Sequence, residues 1–286
     1  MASRSDGRLA DHAEPALLLV PGLLCLVFAY FLPVGLLVAE SFFATAEDGQ
    51  EALTLAPYVR FFTDSYYHGV MLRTFKLALI TTLVTLVLGF PIALIMARNP
   101  GRIAVWLGIL VIMPLMVSVV VRTFGWMVLM GRGGLLSDLA QSIGIGGRRF
   151  VFMRTESGIV IALAQVLLPF MTLTLYGVVS RIEPVLEQAA RVMGAGYFAT
   201  MWRVTLPLSL PGIVAGSLLV FALSISSFIT PTLIGGVRLP VLAGSIYQEA
   251  LITINWPFAA ALSVILLVTV LLVIVPYTMF ARTRYG

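Results

Sequence analysis

The sequence predicts an all-α integral membrane protein with six transmembrane helices. Of its 286 residues 60% are hydrophobic and only 11% are charged, whereas about 25% of the residues in soluble domains are charged. Several uncharged stretches supply the ~20 helical residues that cross a bilayer core. Basic residues flank these stretches, so the isoelectric point near 9.7 indicates membrane topology and not nucleic-acid binding.

The first predicted span follows a short polar tail. Residues 1–14 are polar and mixed in charge, which is typical of a disordered terminus. Residues 16–39 then run for 24 residues without a charge, with a predicted bend at Pro33. This run exceeds the about 7 to 15 apolar residues of a signal peptide. A retained span is therefore favoured over cleavage near residues 44–46.

Three further spans are predicted before the polar segment 180–212, over residues 77–97, 103–130 and 158–179. In the polar outer loop 47–71, residues 55–62 could lie as an amphipathic helix on the membrane surface. The short turn 98–102 can join only neighbouring antiparallel spans. The outer loop 131–156 is rich in glycine, and because no Lys-Ser/Thr pair follows, the glycines indicate turns and not a phosphate site.

The last part of the chain is predicted to contain two spans. Residues 204–237 carry no charge over 34 residues, which is too long for one upright helix. We therefore expect a fifth span over residues 208–229, a turn over residues 230–236 and an outer helix over residues 239–251. Residues 258–281 form the sixth predicted span.

Six spans place both termini and the polar segment 180–212 on one side of the membrane. That side carries nine arginines, and the opposite side carries eight lysines and arginines in far longer loops. The higher density of positive charge indicates that the segment 180–212 and both termini are cytoplasmic.

The segment 180–212 carries its own helix signals. Glu183 is a predicted N-cap, and Pro184 occupies the first helical position, where its missing N–H costs nothing. Gly194 ends this helix. A second short helical run over residues 197–203 is expected to end before a Leu-Pro pair.

The first helix of this segment is amphipathic and shorter than three turns. Val185, Ala189 and Met193 recur every four residues, with Leu186 and Ala190 beside them. A helix of this length is marginal alone in water, so its apolar stripe needs a surface on which to rest. The two short helices are therefore predicted to form a docking element.

The spacing in this segment resembles the Glu-Ala-Ala loop of the membrane subunits of binding-protein-dependent ABC importers. The matching positions are Gln188, Ala189, Ala190, Gly194, Val204, Leu206 and Pro207. In that family the loop is cytoplasmic and seats in a groove of the ATPase subunit. Here Gln188 stands where the family usually has an acid, and Glu187 lies one position earlier. Because consecutive helical residues point about 100° apart, Glu187 need not replace the contact of that acid, and whether Gln188 or Glu187 meets the ATPase stays open. Arg191 lies with them among the polar positions of the loop.

Further stretches resemble the spermidine/putrescine branch of these permeases, namely residues 114–126, 228–236 and 256–263. The resemblance runs from about residue 15 to the end of the chain and implies the type I ABC importer permease fold. We accordingly divide the chain into five parts. Residues 1–15 are a cytoplasmic tail, residues 16–43 hold the first transmembrane helix, and residues 44–71 form an outer loop. Residues 72–281 are a permease core with five spans that includes the coupling loop 180–207, and residues 282–286 are a second cytoplasmic tail.

The resemblance implies a multi-pass subunit of the bacterial inner membrane that forms half of the pathway of an ATP-driven importer for polyamines or a related small solute. Its implied partners are two copies of an ATP-binding subunit, a second and related permease subunit, a periplasmic or extracellular substrate-binding protein, and the lipid bilayer. The chain has no nucleotide-binding motif. ATP and Mg would therefore bind to the partner ATPase, and this chain would be neither an enzyme nor the holder of a cofactor. With one cysteine and two histidines, the sequence argues against a metal site.

Few residues are candidates for the solute pathway. Arg122 is the main ionisable group at membrane depth, where such groups are functional by default, although it lies close enough to the outer loop to reach the interface instead. A cationic solute should meet carboxylates or aromatic faces, which argues against Arg122 as a direct ligand. Other candidates could serve at the outer mouth of the solute pathway: Glu40, Trp126, Tyr247, Glu249 and Trp256. Aromatic residues at membrane interfaces are, however, usually anchors.

Three alternatives compete with this interpretation. The same class of importer could carry another solute, such as ferric iron, sulfate, an opine or a phosphonate. A secondary carrier is disfavoured because the cores of the predicted spans contain no acids. An intramembrane enzyme is disfavoured because both histidines lie outside the spans.

Overall fold

The computed structural model describes residues 7–45, 51–144 and 151–285, which are largely helical. Its first half contains α1 (Gly7–Glu40), β1 (Phe43–Thr45), β2 (Glu51–Leu53), α2 (Ala56–Thr63), α3 (Ser65–Arg98), α4 (Arg102–Ile112), a 3-10 segment (Met113–Met116), α5 (Val119–Met130) and α6 (Leu135–Ser142). Its second half contains α7 (Glu156–Val179), α8 (Pro184–Val192), α9 (Tyr197–Thr200), a π segment (Met201–Thr205), α10 (Leu206–Ile225), α11 (Ile229–Gly235), a 3-10 segment (Gly236–Arg238), α12 (Leu242–Leu251) and α13 (Trp256–Tyr285).

Among the described residues, six helical segments are long and apolar enough to cross a membrane. The prediction of an all-α protein with six spans is thus confirmed. A seventh candidate consists of α11 and α12, which are bent by 85° against each other and form either a broken span or a re-entrant loop.

The first span, α1, stands apart from the rest of the chain. It contacts α13, and no residue of its segment Leu19–Glu40 is buried within this chain. The helix continues through Pro33 and begins at Gly7, so the prediction of a disordered tail is wrong over residues 7–14, where alanine, leucine and glutamate favour a helix. Residues 1–6 of that tail lie outside the described ranges.

The predicted outer loop 47–71 has more secondary structure than expected. In the hairpin of β1 and β2, Ala44 pairs with Ala52, and the expected surface helix is α2. The second span, α3, begins at Ser65 and not at residue 77. Its start is fixed by the side chain of Asp64, which accepts a hydrogen bond of 2.9 Å from the backbone N–H of Tyr66. Residues 46–50 are outside the described part of this loop.

The prediction of one unbroken third span over residues 103–130 is wrong. The helix α4 ends in the 3-10 segment at Pro114, and the backbone of Val117 and Ser118 is extended before α5 begins. The proline lacks the N–H that a continuing helix would use. The segment with the length of a span is instead α5 together with α6. The predicted loop 131–156 therefore contains a helix, and its residues 145–150 are not among those described.

The fourth span, α7, lies at the centre of the fold and confirms the prediction for residues 158–179. It packs against α3 and α10, and more of it is buried than of any other candidate span in the described residues. Glycines permit a close approach: a Cβ built on Gly212 would lie 2.8 Å from the Cβ of Val178, and one built on Gly216 would lie 2.8 Å from Met171 Sδ. Small residues are the usual means by which helices pack closely in membranes.

The second short helix of the coupling loop does not end before Leu206 and Pro207, as the sequence suggested. α9 passes through the π segment into α10, and residues from Tyr197 to Ile225 form one long helical stretch. Pro207 lies in the first turn of α10, where a missing N–H is tolerated. The π segment has a wider turn than an α-helix, and it lies directly before Pro207, where α9 passes into α10.

The predicted turn over residues 230–236 is the helix α11. Gly236, with φ +61°, ends this helix, and Pro240 lies in the bend before α12, the expected outer helix. The bend is attached to α3 by Arg73, whose Nη1 donates to the carbonyl of Pro240 at 3.3 Å.

The sixth span, α13, begins where Asn255 accepts a hydrogen bond of 3.2 Å from the backbone N–H of Phe258. It agrees with the predicted span over residues 258–281. The helix continues through Pro276 to Tyr285, so the predicted tail 282–286 extends this helix as far as the structure describes it.

Candidate functional site

The candidate site is the coupling loop between α7 and α10, and its first element is the coupling helix α8. Pro184 occupies the first turn of this helix, as predicted. Glu183 is its N-cap residue, but its side chain makes no capping hydrogen bond. The start of the helix therefore depends on the fixed φ of the proline and not on a carboxylate cap.

Gly194 follows the end of α8 in a left-handed conformation with φ +89°. The N–H of Ala195 donates to the carbonyl of Ala190 at 3.0 Å, and the N–H of Gly194 donates to the carbonyl of Arg191 at 3.0 Å. These two bonds form a Schellman motif, which satisfies carbonyls at the end of a helix. A positive φ is easily reached only by glycine, so Gly194 lets the chain reverse towards α9.

One face of α8 is turned towards the bundle and carries Glu187 and Ala190. Ala190 is buried. The Oε1 atom of Glu187 accepts hydrogen bonds from Arg98 Nη2 at 2.8 Å, from Arg98 Nε at 3.1 Å and from Thr205 Oγ1 at 2.9 Å. The two charged side chains are 17% and 12% exposed, for Arg98 and Glu187 respectively. Glu187 is therefore held inside this chain.

Arg98 also binds the end of α7. Its Nη1 donates to the carbonyl of Ile182 at 3.0 Å and to that of Val179 at 3.5 Å. In the sequence, Arg98 is only the first residue of the short turn 98–102, with no sign of a functional role. Its partner Glu187 lies 89 residues further along the chain, and no local pattern predicts such a contact.

The environment of Glu187 favours its ionised form. Burial raises the pKa of its carboxyl group, but the hydrogen bonds from Arg98 and Thr205 and the positive charges of Arg98 and Arg191 outweigh burial, so the net pKa is lowered. An ionised carboxylate forms stronger, charge-assisted hydrogen bonds with a guanidinium group.

The opposite face of α8 is apolar and exposed. Val185, Leu186, Ala189 and Met193 of the predicted stripe are all exposed, whereas Ala190, which was expected beside them, is buried. The next apolar residue, Val192, is 88% exposed. Two aromatic side chains in and after α9 are exposed as well, Phe198 and Trp202, and we call these two together with the exposed apolar residues of α8 the apolar docking face. The stripe thus rests on no other part of this chain among the described residues.

A cavity of about 310 Å³ lies between the end of α3, α8 and α9. Glu187, Gln188 and Arg191 line it. Gln188 is exposed, and the guanidinium of Arg191 lies 5.9 Å from the ring centre of Tyr197, which connects α8 to α9. Of the two candidates for an ATPase contact, Gln188 faces solvent and Glu187 faces the bundle.

The remaining residues of the loop pattern lie where α9 passes into α10. Val204 belongs to the π segment, and Leu206 and Pro207 begin α10. Val204 and Leu206 are partly buried and Pro207 is exposed. These residues shape the junction between the loop and the fifth span.

Arg122 lies in α5 and is partly buried. Its Nη2 donates to the carbonyl of Val117 at 2.8 Å, while Nε and Nη1 are buried without a hydrogen-bond partner in the described residues. The next residue, Thr123, is within 3.2 Å of the hydroxyl of Thr230 in α11.

The other candidates for the solute pathway have separate neighbours. Trp126 donates to the side chain of Gln165 at 3.3 Å, and Glu249 accepts a hydrogen bond of 3.0 Å from Tyr67. Tyr247 stacks on Phe228, with ring centres 4.8 Å apart. Glu40 and Trp256 line one largely apolar cavity of about 510 Å³ between α1, α12 and α13. Gln165 and Tyr67 carry no sequence signal that would have identified them.

A protein-family profile described as "Binding-protein-dependent transport system inner membrane component" matches residues 89–284. The spermidine/putrescine transport system permease protein PotB of Escherichia coli (strain K12) is 33% identical over 261 residues, which are 90% of this chain and 94% of that protein. PotB of Haemophilus influenzae is 33% identical over 256 residues, covering 88% of each chain. The molybdenum transport system permease protein ModB of Mycobacterium bovis is 33% identical over 217 residues, or 76% of this chain and 80% of that one.

Solved structures share the fold. A chain of a bacterial ABC transporter that imports the acidic polysaccharide alginate superimposes with a TM-score of 0.76 at 17% identity, covering 98% of this chain and 100% of that chain. A chain of the MetNI methionine ABC transporter in an inward-facing conformation superimposes with a TM-score of 0.56 at 18% identity, covering 77% of this chain and 98% of that chain.

Proposed function

This chain belongs to the family of inner membrane components of binding-protein-dependent transport systems, and on that premise we propose that it forms half of the solute pathway of an ATP-driven polyamine importer. It is a multi-pass membrane subunit of the ABC importer class. The observation that carries the choice of solute is the identity of 33% over about nine tenths of its length with permeases named for spermidine and putrescine.

The proposed partner of the coupling loop is an ATP-binding subunit. The apolar docking face supports this, because an exposed surface that contains Val192 and Phe198 is costly in water and suits a hydrophobic groove. ATP and Mg would bind to that subunit, of which we propose two copies. This chain would contribute no catalytic residue and no cofactor site.

The complete assembly would contain a second, related permease subunit and a substrate-binding protein on the outer side. We propose that both termini and the coupling loop are cytoplasmic. The density of arginine around these segments supports this orientation. The outer surface would then include the β-hairpin, α2 and the bend between α11 and α12.

In the proposed mechanism, a movement of α8 changes the tilt of the transmembrane helices attached to it. Closure of the ATPase subunits would displace α8, and the attached spans α7 and α10 would tilt to switch a central cavity between outward-facing and inward-facing states. Gly194 supports this mechanism because its positive φ makes the sharp reversal between α8 and α9 possible.

The proposal is tested by purifying the tagged chain from its native membrane and identifying the proteins that accompany it. We expect an ATPase subunit, a second six-span protein and ATP hydrolysis that a binding protein with spermidine raises. Met193→Asp should remove the ATPase subunit from the preparation, because a charge would enter the apolar docking face. The matched control is Val237→Asp, another exposed apolar position, in the 3-10 segment before α12.

A chain that purifies alone, without ATPase activity and in several mild detergents, would contradict the proposal. The solute is tested separately by measuring uptake of labelled spermidine and of molybdate. Uptake of molybdate alone would favour the second candidate function, an oxyanion importer, which the identity to ModB supports.

A further inference from the structure

We propose that Arg98 is a positioning residue that, through Glu187, fastens the coupling helix α8 to the bundle so that a displacement of α8 reaches the transmembrane helices. This inference rests on the proposed function of the coupling loop. It goes beyond it by assigning a role to a residue outside the loop, at the end of α3.

Apart from this ion pair, few contacts attach α8 to the rest of the chain, namely the burial of Ala190 and the guanidinium of Arg191 at 5.9 Å from the ring centre of Tyr197. The helix has nine residues, and Ala190 is its only buried residue. The chain can turn at both of its ends, at the non-helical residues before Pro184 and at Gly194, which is exposed with φ +89°. Without a further contact, a pull on the apolar docking face would rotate α8 about these two ends.

The ion pair supplies that contact and joins four elements. Arg98 comes from the end of α3 and binds the carbonyls of Val179, the last residue of α7, and of Ile182, which lies between α7 and α8. Glu187 comes from α8, and its Oε1 also accepts a hydrogen bond from Thr205 in the π segment before α10. The cytoplasmic ends of α3, α7 and α10 are therefore held to α8 at one point.

The ion pair of Arg98 and Glu187 is suited to carry a displacement of α8 to the bundle. A guanidinium group presents several donors in a rigid plane, so two of its nitrogens reach Oε1 of Glu187 while the third reaches carbonyl groups. Because both side chains are less than one fifth exposed, water screens the pair little. Removal of one partner would leave the other charge poorly compensated.

The geometry also distinguishes the two candidates for the ATPase contact, Gln188 and Glu187. Glu187 is engaged inside the chain, so the contact with the ATPase falls to Gln188 and to the apolar docking face. In this chain, Glu187, which lies one position before the usual acid of the loop, fastens α8 to the bundle and does not contact the ATPase subunit.

The test uses the complete assembly in liposomes and measures solute imported per ATP hydrolysed. We expect this ratio to fall several-fold in Arg98→Gln and in Glu187→Gln, while the ATPase subunit still copurifies. Arg98→Lys should keep the charge but lose the planar set of donors, and should give an intermediate ratio. The double variant Arg98→Glu with Glu187→Arg should recover part of the loss. The matched control is Arg102→Gln, an exposed arginine in the first turn of α4, which should leave the ratio unchanged.

A second readout does not depend on transport. Hydrogen exchange of the backbone amides of α8, in the membrane-embedded chain, should be at least several-fold faster in both single variants than in the wild type and in Arg102→Gln. Equal exchange in all of these proteins would overturn the inference, and so would an unchanged import ratio in the two single variants. If the wild type binds no ATPase subunit, the proposed function fails instead, and the exchange measurement alone then decides whether the pair fastens α8.

Discussion

The hydroxyl oxygen of Thr74 in α3 accepts a hydrogen bond of 2.9 Å from the backbone N–H of Leu242, the first residue of α12. Both residues are buried. The same hydroxyl donates to the carbonyl of Val70 at 2.7 Å, so Thr74 uses its donor and an acceptor position at once. The bent pair of α11 and α12 is thereby attached to α3 at its corner.

Thr74→Val should destabilise the protein, because the substitution keeps the shape of the side chain but removes the acceptor for the buried N–H of Leu242. An unsatisfied buried donor costs about 1 to 3 kcal/mol. The measurement is thermal unfolding of the purified protein in detergent. Thr74→Ser keeps the hydroxyl and should be closer to wild type, and equal stability of the two variants would contradict this role of the hydrogen bond.

Gly212→Ala should also destabilise the protein, because the new methyl group would lie 2.8 Å from the Cβ of Val178 and would force α10 away from α7. Overpacking of this kind costs about 1 to 3 kcal/mol. The control is Gly177→Ala in α7, where a methyl group meets no atom within 4 Å. The same unfolding measurement should show a loss for Gly212→Ala and none for Gly177→Ala.

Gly194→Ala should loosen the end of α8, because a residue with a Cβ pays about 1 to 2 kcal/mol in the left-handed region. No atom lies within 4 Å of the position that the methyl group would take, so the cost comes from the backbone alone. Gly196→Ala is the matched control, since Gly196 also has open space but a φ of −68°. Hydrogen exchange of the α8 amides should increase only in Gly194→Ala, and an equal increase in both variants would argue against this explanation.

The attachment of α8 should depend on pH through Glu187. Its pKa is lowered below the ordinary value of 4.5 in the folded chain, because hydrogen bonds from Arg98 and Thr205 and nearby positive charges outweigh the effect of burial. A lowered folded pKa means that the contribution is complete above about pH 4.5 and is lost as the pH falls through the folded value.

Spin labels at positions 99 and 192, in a Cys25→Ser background, can measure this dependence as a distance between α3 and α8. We expect a narrow distance distribution at neutral pH that broadens in acid. Glu187→Gln should give a broad distribution at every pH. Broadening of the wild-type distribution that begins above the ordinary pKa of 4.5, or a narrow distribution in Glu187→Gln at neutral pH, would refute the prediction.

Local signals explain most of what the sequence predicted correctly. Pro184 and Gly194 act on their own neighbours, so the limits of α8 follow from short stretches of sequence. The long uncharged runs of α7 and α13 likewise predict spans without knowledge of their surroundings. The family resemblance added the position of the loop within a known assembly.

Tertiary contacts explain what the sequence did not predict. A proline within an apolar run is compatible with a continuous transmembrane helix or with a break, so Pro114 alone could not decide the structure of the third span. The pairing of Arg98 with Glu187, and of Tyr67 with Glu249, joins residues far apart in the chain. Periodicity reports which face of a helix is apolar and says nothing about which distant side chain will meet it.

The contact between α7 and α10 at Gly212 and Gly216 leaves less room than one methyl group requires. No hydrated ion can pass between these two helices while they touch. A copy of this chain made without its partners should for this reason pass no ions through the contact between α7 and α10.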